Sequence, residues 1–300
     1  MRKAKDNEAS FAPGGSGGLR AGRRGETGTK AAPSPRGRGK KAAPSEVKAE
    51  RRTARRAPRP KVEIPEEMLS RAMEALTPRA RALWARRGLA CRAPLDRTTQ
   101  SMLLRQLYLA YFEEERFERA ALIAEQAVAL DVLPDVVHQD AARAKQATGD
   151  VEGAIAHLRL AARLGPPSRR AFHWWSLGSL YYLVGRHEEA VGALARAARW
   201  GTRDKPLYQG HLALAQIALG QPPGDLDELI DRLVSVPAGN GYGRFVLGQL
   251  AFHARRWDDA RQWLGAFVHR STIGRPAMAI ALRGEVEVAR QMLGRIDPSP

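Results

Sequence analysis

The 300 residues carry a formal net charge of +17 and a single cysteine, Cys91, which excludes an intramolecular disulfide framework. The charge is unevenly placed: residues 1–62 hold 18 Lys and Arg against 5 Asp and Glu, a net of +13, which leaves +4 for the other 238. Basicity therefore belongs to the N-terminal segment, and any argument for nucleic-acid binding is an argument about that segment alone. No run of about 18 apolar residues offers a membrane span. The N-terminus lacks the apolar centre of a secretion signal, and Arg23-Arg24 leads into Gly25-Glu26-Thr27-Gly28, so the expected location is cytoplasmic.

Residues 1–62 place Gly, Pro or Ser at 19 positions and offer Met1, Phe11, Leu19, Val47 and Val62 as their only sizeable apolar side chains. Such a chain buries too little surface to offset an ordering cost of about 1–2 kcal/mol per residue, and a disordered basic tail is expected. Arg51, Arg52, Arg55 and Arg56 close it with a dense cationic cluster. Within it, Pro35-Arg36-Gly37-Arg38-Gly39-Lys40-Lys41 resembles the AT-hook, whose Arg-Gly-Arg core lies in the minor groove of A·T-rich DNA, although Gly39 stands where that family has proline. Two readings of the tail stay open: nucleic acid held non-specifically through its phosphates, with Arg36, Arg38, Lys40, Lys41, Arg51, Arg52, Arg55 and Arg56 as the candidate contacts and Arg36 and Arg38 as the minor-groove hook, or a purely solubilising extension.

From residue 63 the pattern becomes helical. Thr77 before Pro78 predicts an N-cap and a first helical position, and a helix pair over residues 63–97 reads as an N-terminal cap. Cys91 falls at the end of an apolar-periodic run, 83–91, and is expected to be a buried, inert thiol. Leu104, Leu107, Tyr108 and Tyr111 stripe one helix, and Phe117, Ala120, Ala124 and Ala127 stripe the next. Ala141, Ala142, the turn Gly149-Asp150, then Ala154, Leu158 and Ala161 repeat the arrangement. The clearest unit is Trp174, Leu177, Gly178 and Tyr181, a turn at Gly185, then Ala190, Leu194 and Ala197. The first four sit at i, i+3, i+4 and i+7, one face of a helix. Side-chain bulk sets an interaxial distance of roughly 8–10 Å, so small residues at 178 and 190 mark where two helices meet. A weaker unit follows, with a long turn at Gln221-Pro222-Pro223-Gly224. Leu247, Gly248, Ala251, Trp257, Ala260, Leu264 and Phe267 restore the pattern, and a short pair over 276–282 and 285–293, separated by Gly284, reads as a C-terminal cap.

Ala120, Ala154, Ala190 and Ala260 are spaced by 34, 36 and 70 residues. The Trp-x-x-Leu-Gly-x-x-Tyr spacing with this period resembles the tetratricopeptide repeat. The resemblance covers roughly residues 98–295, about five repeats plus the C-terminal cap. It implies an all-α, right-handed α-α superhelical solenoid whose first helices line a concave groove for a partner protein, peptide or helix. By matching units, that groove receives Arg105 and Phe112, then Gln139 and Arg143, then Trp175, Ser179 and Tyr182, and finally Tyr242, Phe245, Gln249, Phe252 and His253. The floor so drawn is basic at one end and aromatic at the other, which suits an apolar segment with some acidic character. Whether Trp175 and Phe245 face a ligand or neighbouring helices stays open here. The Lys and Asn pair with which the chaperone-binding subfamily grips a terminal carboxylate is not matched at Arg105 with Leu109, Gln139 with Arg143, or Trp175 with Ser179.

No catalytic or metal signature appears. The seven histidines lack an i, i+4 pair and have no second cysteine to join, Gly241-Tyr242-Gly243 follows no predicted strand, and no phosphate-loop, nucleophile-elbow or zincin motif occurs. No cofactor is expected. The sequence points to a non-enzymatic adaptor. The alternatives are a nucleic-acid-associated protein acting through residues 1–62 while the repeats tether a partner, and a structural accessory subunit of a larger assembly.

Overall fold

The computed structural model describes residues 64–273 and 276–296; the expectations for residues 1–62 lie outside the described residues. Prolines and short polar side chains set where the helices start. Pro65, Pro78, Pro134 and Pro167 occupy first helical positions, where the missing N–H costs nothing. Thr77 accepts from the Ala80 N–H, Asp96 from Thr98 and Thr99, Asp150 from Gly153 and Asp225 from Glu228, each satisfying a donor that a helix start leaves open. The resulting elements are α1 (Pro65–Glu74), α2 (Pro78–Leu89), α3 (Arg97–Glu113), α4 (Phe117–Val128), α5 (Pro134–Thr148), α6 (Val151–Leu164), α7 (Pro167–Leu183), α8 (His187–Trp200), α9 (Lys205–Ala218), α10 (Leu226–Val234), a 3-10 turn at Pro237–Gly239, α11 (Gly243–His253), α12 (Trp257–Thr272), α13 (Pro276–Ala281) and α14 (Arg283–Ile296). Each helix from α1 to α12 packs on the next, and no strand occurs among the described residues.

One backbone device recurs between the two helices of every pair from α3 to α12. Glu115, Gly149, Gly185, Gly220 and Arg255 all take positive φ, between 59° and 85°. In each turn the following N–H bonds back to a carbonyl five residues earlier: Arg116 to Tyr111, Asp150 to Lys145, Arg186 to Tyr181, Gln221 to Gln216 and Arg256 to Ala251, at 2.8–2.9 Å. This is the Schellman closure, which satisfies carbonyls that the ending helix leaves open. Glycine fills three of the five positions; Glu115 and Arg255 adopt the left-handed conformation against their intrinsic preference.

Small residues then let the helices of a pair close on each other. A Cβ placed on Gly178 would lie 2.6 Å from Leu194 Cγ, and one on Gly248 would lie 2.5 Å from Leu264 Cγ; Ala142 and Ala213 stand at the same place in their own pairs and are buried. Successive pairs are joined by side chains about one period apart. Arg105 Nε donates to Asp140 at 2.8 Å, Arg169 donates twice to Asp135 at 2.7 and 3.1 Å, and His173 Nε2 donates to Asp135 at 2.9 Å. Burial alone pushes the Asp135 carboxyl up, but the hydrogen bonds from Arg169 and His173 outweigh it and hold the acid below its usual range.

Three expectations change. Cys91 lies beyond the end of α2 and is partly exposed, its thiol donating to the Arg87 carbonyl at 3.2 Å, because Gly88 and not the cysteine faces α3. Gly284 does not separate the last two helices: α13 stops at Ala281, and Gly284 lies in the first turn of α14. The two helices also do different work. Helix α14 covers α12 and α11 as a terminal cap, whereas α13 turns back and packs against α5.

Candidate partner groove

The inner helices α3, α5 and α7 present the same helical face side by side, and α13 lies over them. Between them is a cavity of about 610 Å³. Its walls are Tyr108, Leu109, Phe112 and Glu113 from α3; Gln139, Arg143 and Gln146 from α5; and Phe172, Trp175, Ser176, Ser179, Leu180 and Leu183 from α7. Tyr242 closes one end, and Pro276, Ala277, Met278 and Ala281 of α13 with Leu282 and Glu285 form the roof. A mostly apolar concavity with a few polar groups is the usual composition of a binding site.

Of the twelve predicted groove residues, Phe112, Gln139, Arg143, Trp175, Ser179 and Tyr242 line this cavity and the other six do not. Arg105 is turned to Asp140, so its charge is matched within the array. The aromatic end is closed on itself. Trp175 reaches two pairs onward to make an edge-to-face contact with Tyr242 at 5.1 Å, and the Tyr182 hydroxyl donates to Gln249 Oε1 at 2.8 Å. Gly210 makes this approach feasible: a Cβ there would stand 3.0 Å from Val246 and 3.1 Å from Leu250, so α9 and α11 lie close together. Phe245 and Gln249 are consequently 0% and 1% exposed, and the Phe245 ring meets Phe267 in a tilted contact at 5.1 Å. The exposed aromatic floor expected at that end is therefore a core. Phe252 packs edge-on against Trp257 at 5.4 Å, away from the cavity, with His253 beside it.

Reading one position per turn found part of each wall. Gln139 and Arg143, and Trp175 and Ser179, lie on the face that lines the cavity; extending it by one turn in each direction adds Gln146 and Phe172, and the same spacing in α3 adds Leu109. The α13 roof carried no such signal, since its contact with α5 joins segments more than a hundred residues apart.

Buried polar groups cluster where the groove closes. His211 is fully buried, and burial holds its ring near a pKa of about 3, so it is neutral; its Nδ1 lies 3.2 Å from Ser179 Oγ, and its Nε2 has no partner among the described residues. A histidine this weakly basic, with no carboxylate on its second nitrogen, lacks what would make the Ser179 hydroxyl a nucleophile. The Tyr242 hydroxyl donates to Glu285 Oε1 at 3.3 Å. Burial, and then the nearby Glu285 carboxylate, push the Tyr242 phenol well above its ordinary value, while burial raises Glu285 to about 7. Burial likewise pushes Tyr182 up to about 12. Groups of three or more metal-ligating side chains do not occur among the described residues, nor does a helix long and apolar enough to cross a membrane.

No family model matches the chain, and no curated protein matches it by sequence. Among solved structures, the Cut9–Hcn1 hetero-tetramer of the APC/C contains a chain similar over 79% of this one and 46% of its own length, at 16% identity with a TM-score of 0.50. PilF of Pseudomonas aeruginosa is similar over 68% of this chain and 95% of its own, at 19% identity with a TM-score of 0.47. The first likeness shows the fold, an all-α solenoid of tetratricopeptide-type helix pairs, and this chain spans less than half of that one.

Proposed function

We propose that this tetratricopeptide-type solenoid is a non-enzymatic scaffold that holds a segment of a partner protein in the half of its concave face formed by α3, α5 and α7. The observation that carries the reading is the cavity itself: about 610 Å³, walled by Leu109, Phe112, Phe172, Trp175, Leu180 and Leu183, with hydrogen-bonding groups from Gln139, Gln146 and Ser176 between them. Aromatic and aliphatic anchors seated among polar positions are what concentrates binding energy at interfaces. The N-terminal cap, residues 63–97, and the array, 98–295, are the proposed divisions of the scaffold, with residues 1–62 as a separate basic segment.

The test places a photo-crosslinking amino acid at Phe112, and in a second chain at Leu122, which is 61% exposed on α4 and away from the cavity. Crosslinking in cells should join a partner through position 112, with the adduct mapped to one segment of that partner, and should fail from 122. Equal yields from both positions would show that the cavity is not where partners are held. The net +13 of residues 1–62 supports a second reading, phosphate-backbone binding by that segment; its signature is an affinity for duplex DNA that falls with salt at a log–log slope of about −0.9 per phosphate contact, in the full chain and not in one lacking 1–62.

A further inference from the structure

Helix α13 sits over the cavity as a ligand does. It is six residues long, Pro-Ala-Met-Ala-Ile-Ala, leaves the fifth helix pair and lies against α5 of the second, across the inner face of the array. The residues of α13 that line the cavity, Pro276, Ala277, Met278 and Ala281, are followed by Leu282 and by Glu285 at the start of α14. Ala277, Met278 and Ala281 recur at i, i+1 and i+4, one face of α13, and Leu282 and Glu285 extend the roof past its end, so the contact has the geometry of a short helix laid into a groove. Yet the fit is incomplete. No residue of α13 is buried, and a cavity of about 610 Å³ remains, lined by Ala277 and Ala281 together with Phe112, Phe172 and Trp175. A helix in the same place with leucine or phenylalanine where α13 has alanine would fill that space and bury more apolar surface, which is the favourable term in such an interaction.

We propose that the groove's partner segment is a short amphipathic helix with a stripe of bulky apolar residues, and that α13 is the chain's own weaker version of it, which the partner displaces. This rests on the groove reading above and adds the class of ligand and a built-in competitor. Because α13 is covalently tethered, it competes at every partner concentration; the measured affinity equals the intrinsic one reduced by the fraction of molecules in which α13 is away.

The experiment uses the full chain and two labelled synthetic peptides of identical composition, one with leucines at i, i+3, i+4 and i+7 and one scrambled, followed by fluorescence anisotropy. Met278→Asp, which unseats α13, should tighten the striped peptide by about tenfold or more. Ala281→Leu, which seats α13 better, should weaken it. Ser176→Trp, which fills the cavity from α7, should remove binding in every background, and the scrambled peptide should not bind. Opposite effects of two substitutions on one helix cannot arise from general unfolding, and circular dichroism checks that helicity is kept. If Met278→Asp and Ala281→Leu both leave the affinity unchanged while Ser176→Trp abolishes it, the displacement idea is wrong and the groove survives. Binding that persists in Ser176→Trp sinks the groove reading itself. Equal binding of both peptides, or of neither, overturns the striped helix as the ligand.

Discussion

Glu285 stands where α13 runs into α14, lines the cavity and accepts a hydrogen bond from Tyr242 at 3.3 Å. Burial raises its pKa from 4.5 to about 7, only partly opposed by hydrogen bonds from its own backbone N–H and from Tyr242. Between those two values the folded chain keeps a proton that the unfolded chain has released. Stability from this group is therefore complete below the unfolded pKa and declines as pH rises toward and through the folded one. From about pH 5 to about pH 8 the loss is roughly 2–3 kcal/mol. Since α13 and α14 form the end of a solenoid, the cost is relieved by their detaching locally before the rest unfolds. Glu285→Gln keeps the size and removes the titration. Urea unfolding, with hydrogen exchange of the α14 amides read separately, should show the variant's advantage over wild type growing by that amount between the two pH values. An advantage that is the same at both would mean that Glu285 does not carry a buried proton.

Gly178→Ala should destabilise the chain by about 1 kcal/mol, because a Cβ 2.6 Å from Leu194 Cγ imposes an overpacking cost of roughly 1–3 kcal/mol that exceeds a helix-propensity gain of about 1 kcal/mol. The same change at Gly265, where an added Cβ meets nothing within 4 Å, should stabilise; thermal melts that move in the same direction would refute the close approach. Asp135→Ala should cost about 3 kcal/mol, since it strips the partner from Arg169 and buried His173. In wild type that contribution is present above the ordinary carboxylate pKa and disappears as pH falls through the lowered one, so the variant's acid unfolding limb should be the flatter. Arg255→Gly should raise stability by about 1 kcal/mol by relieving a left-handed residue with φ of 60°, and a lower midpoint in urea would contradict that.

What was legible in the sequence is what depends on one helix and its immediate neighbour. Gly178 and Ala190 announce a close approach by their size, Gly149 and Gly185 mark turns by their conformational freedom, and the period follows from both. Glu115 and Arg255 make the same turn with ordinary residues, so only the spacing of the flanking stripes reveals them. The face that lines the cavity was readable on α5 and α7 for the same reason. Its closed end was not, because Trp175 meets Tyr242 across two pairs, and such a contact depends on how far Gly210 lets α9 and α11 approach and not on either residue's own character. The roof was missed for a related reason: a short apolar run beginning with proline reads identically whether it caps an array or folds back across it.

The links between successive pairs bear on how such a chain can change length. Repeats are often treated as interchangeable beads, but Arg105 is written for Asp140 and Arg169 for Asp135. Excising the second pair, one period of sequence, would by register bring Arg105 opposite Ser176 and Arg169 opposite Ser101, two guanidinium groups that lose their carboxylates at one splice. The array thus has a spelling order. Duplication or loss of a unit is opposed at the junction and not within the units, and the α3–α5–α7 stretch that forms the cavity is held by such links to its present sequence of pairs.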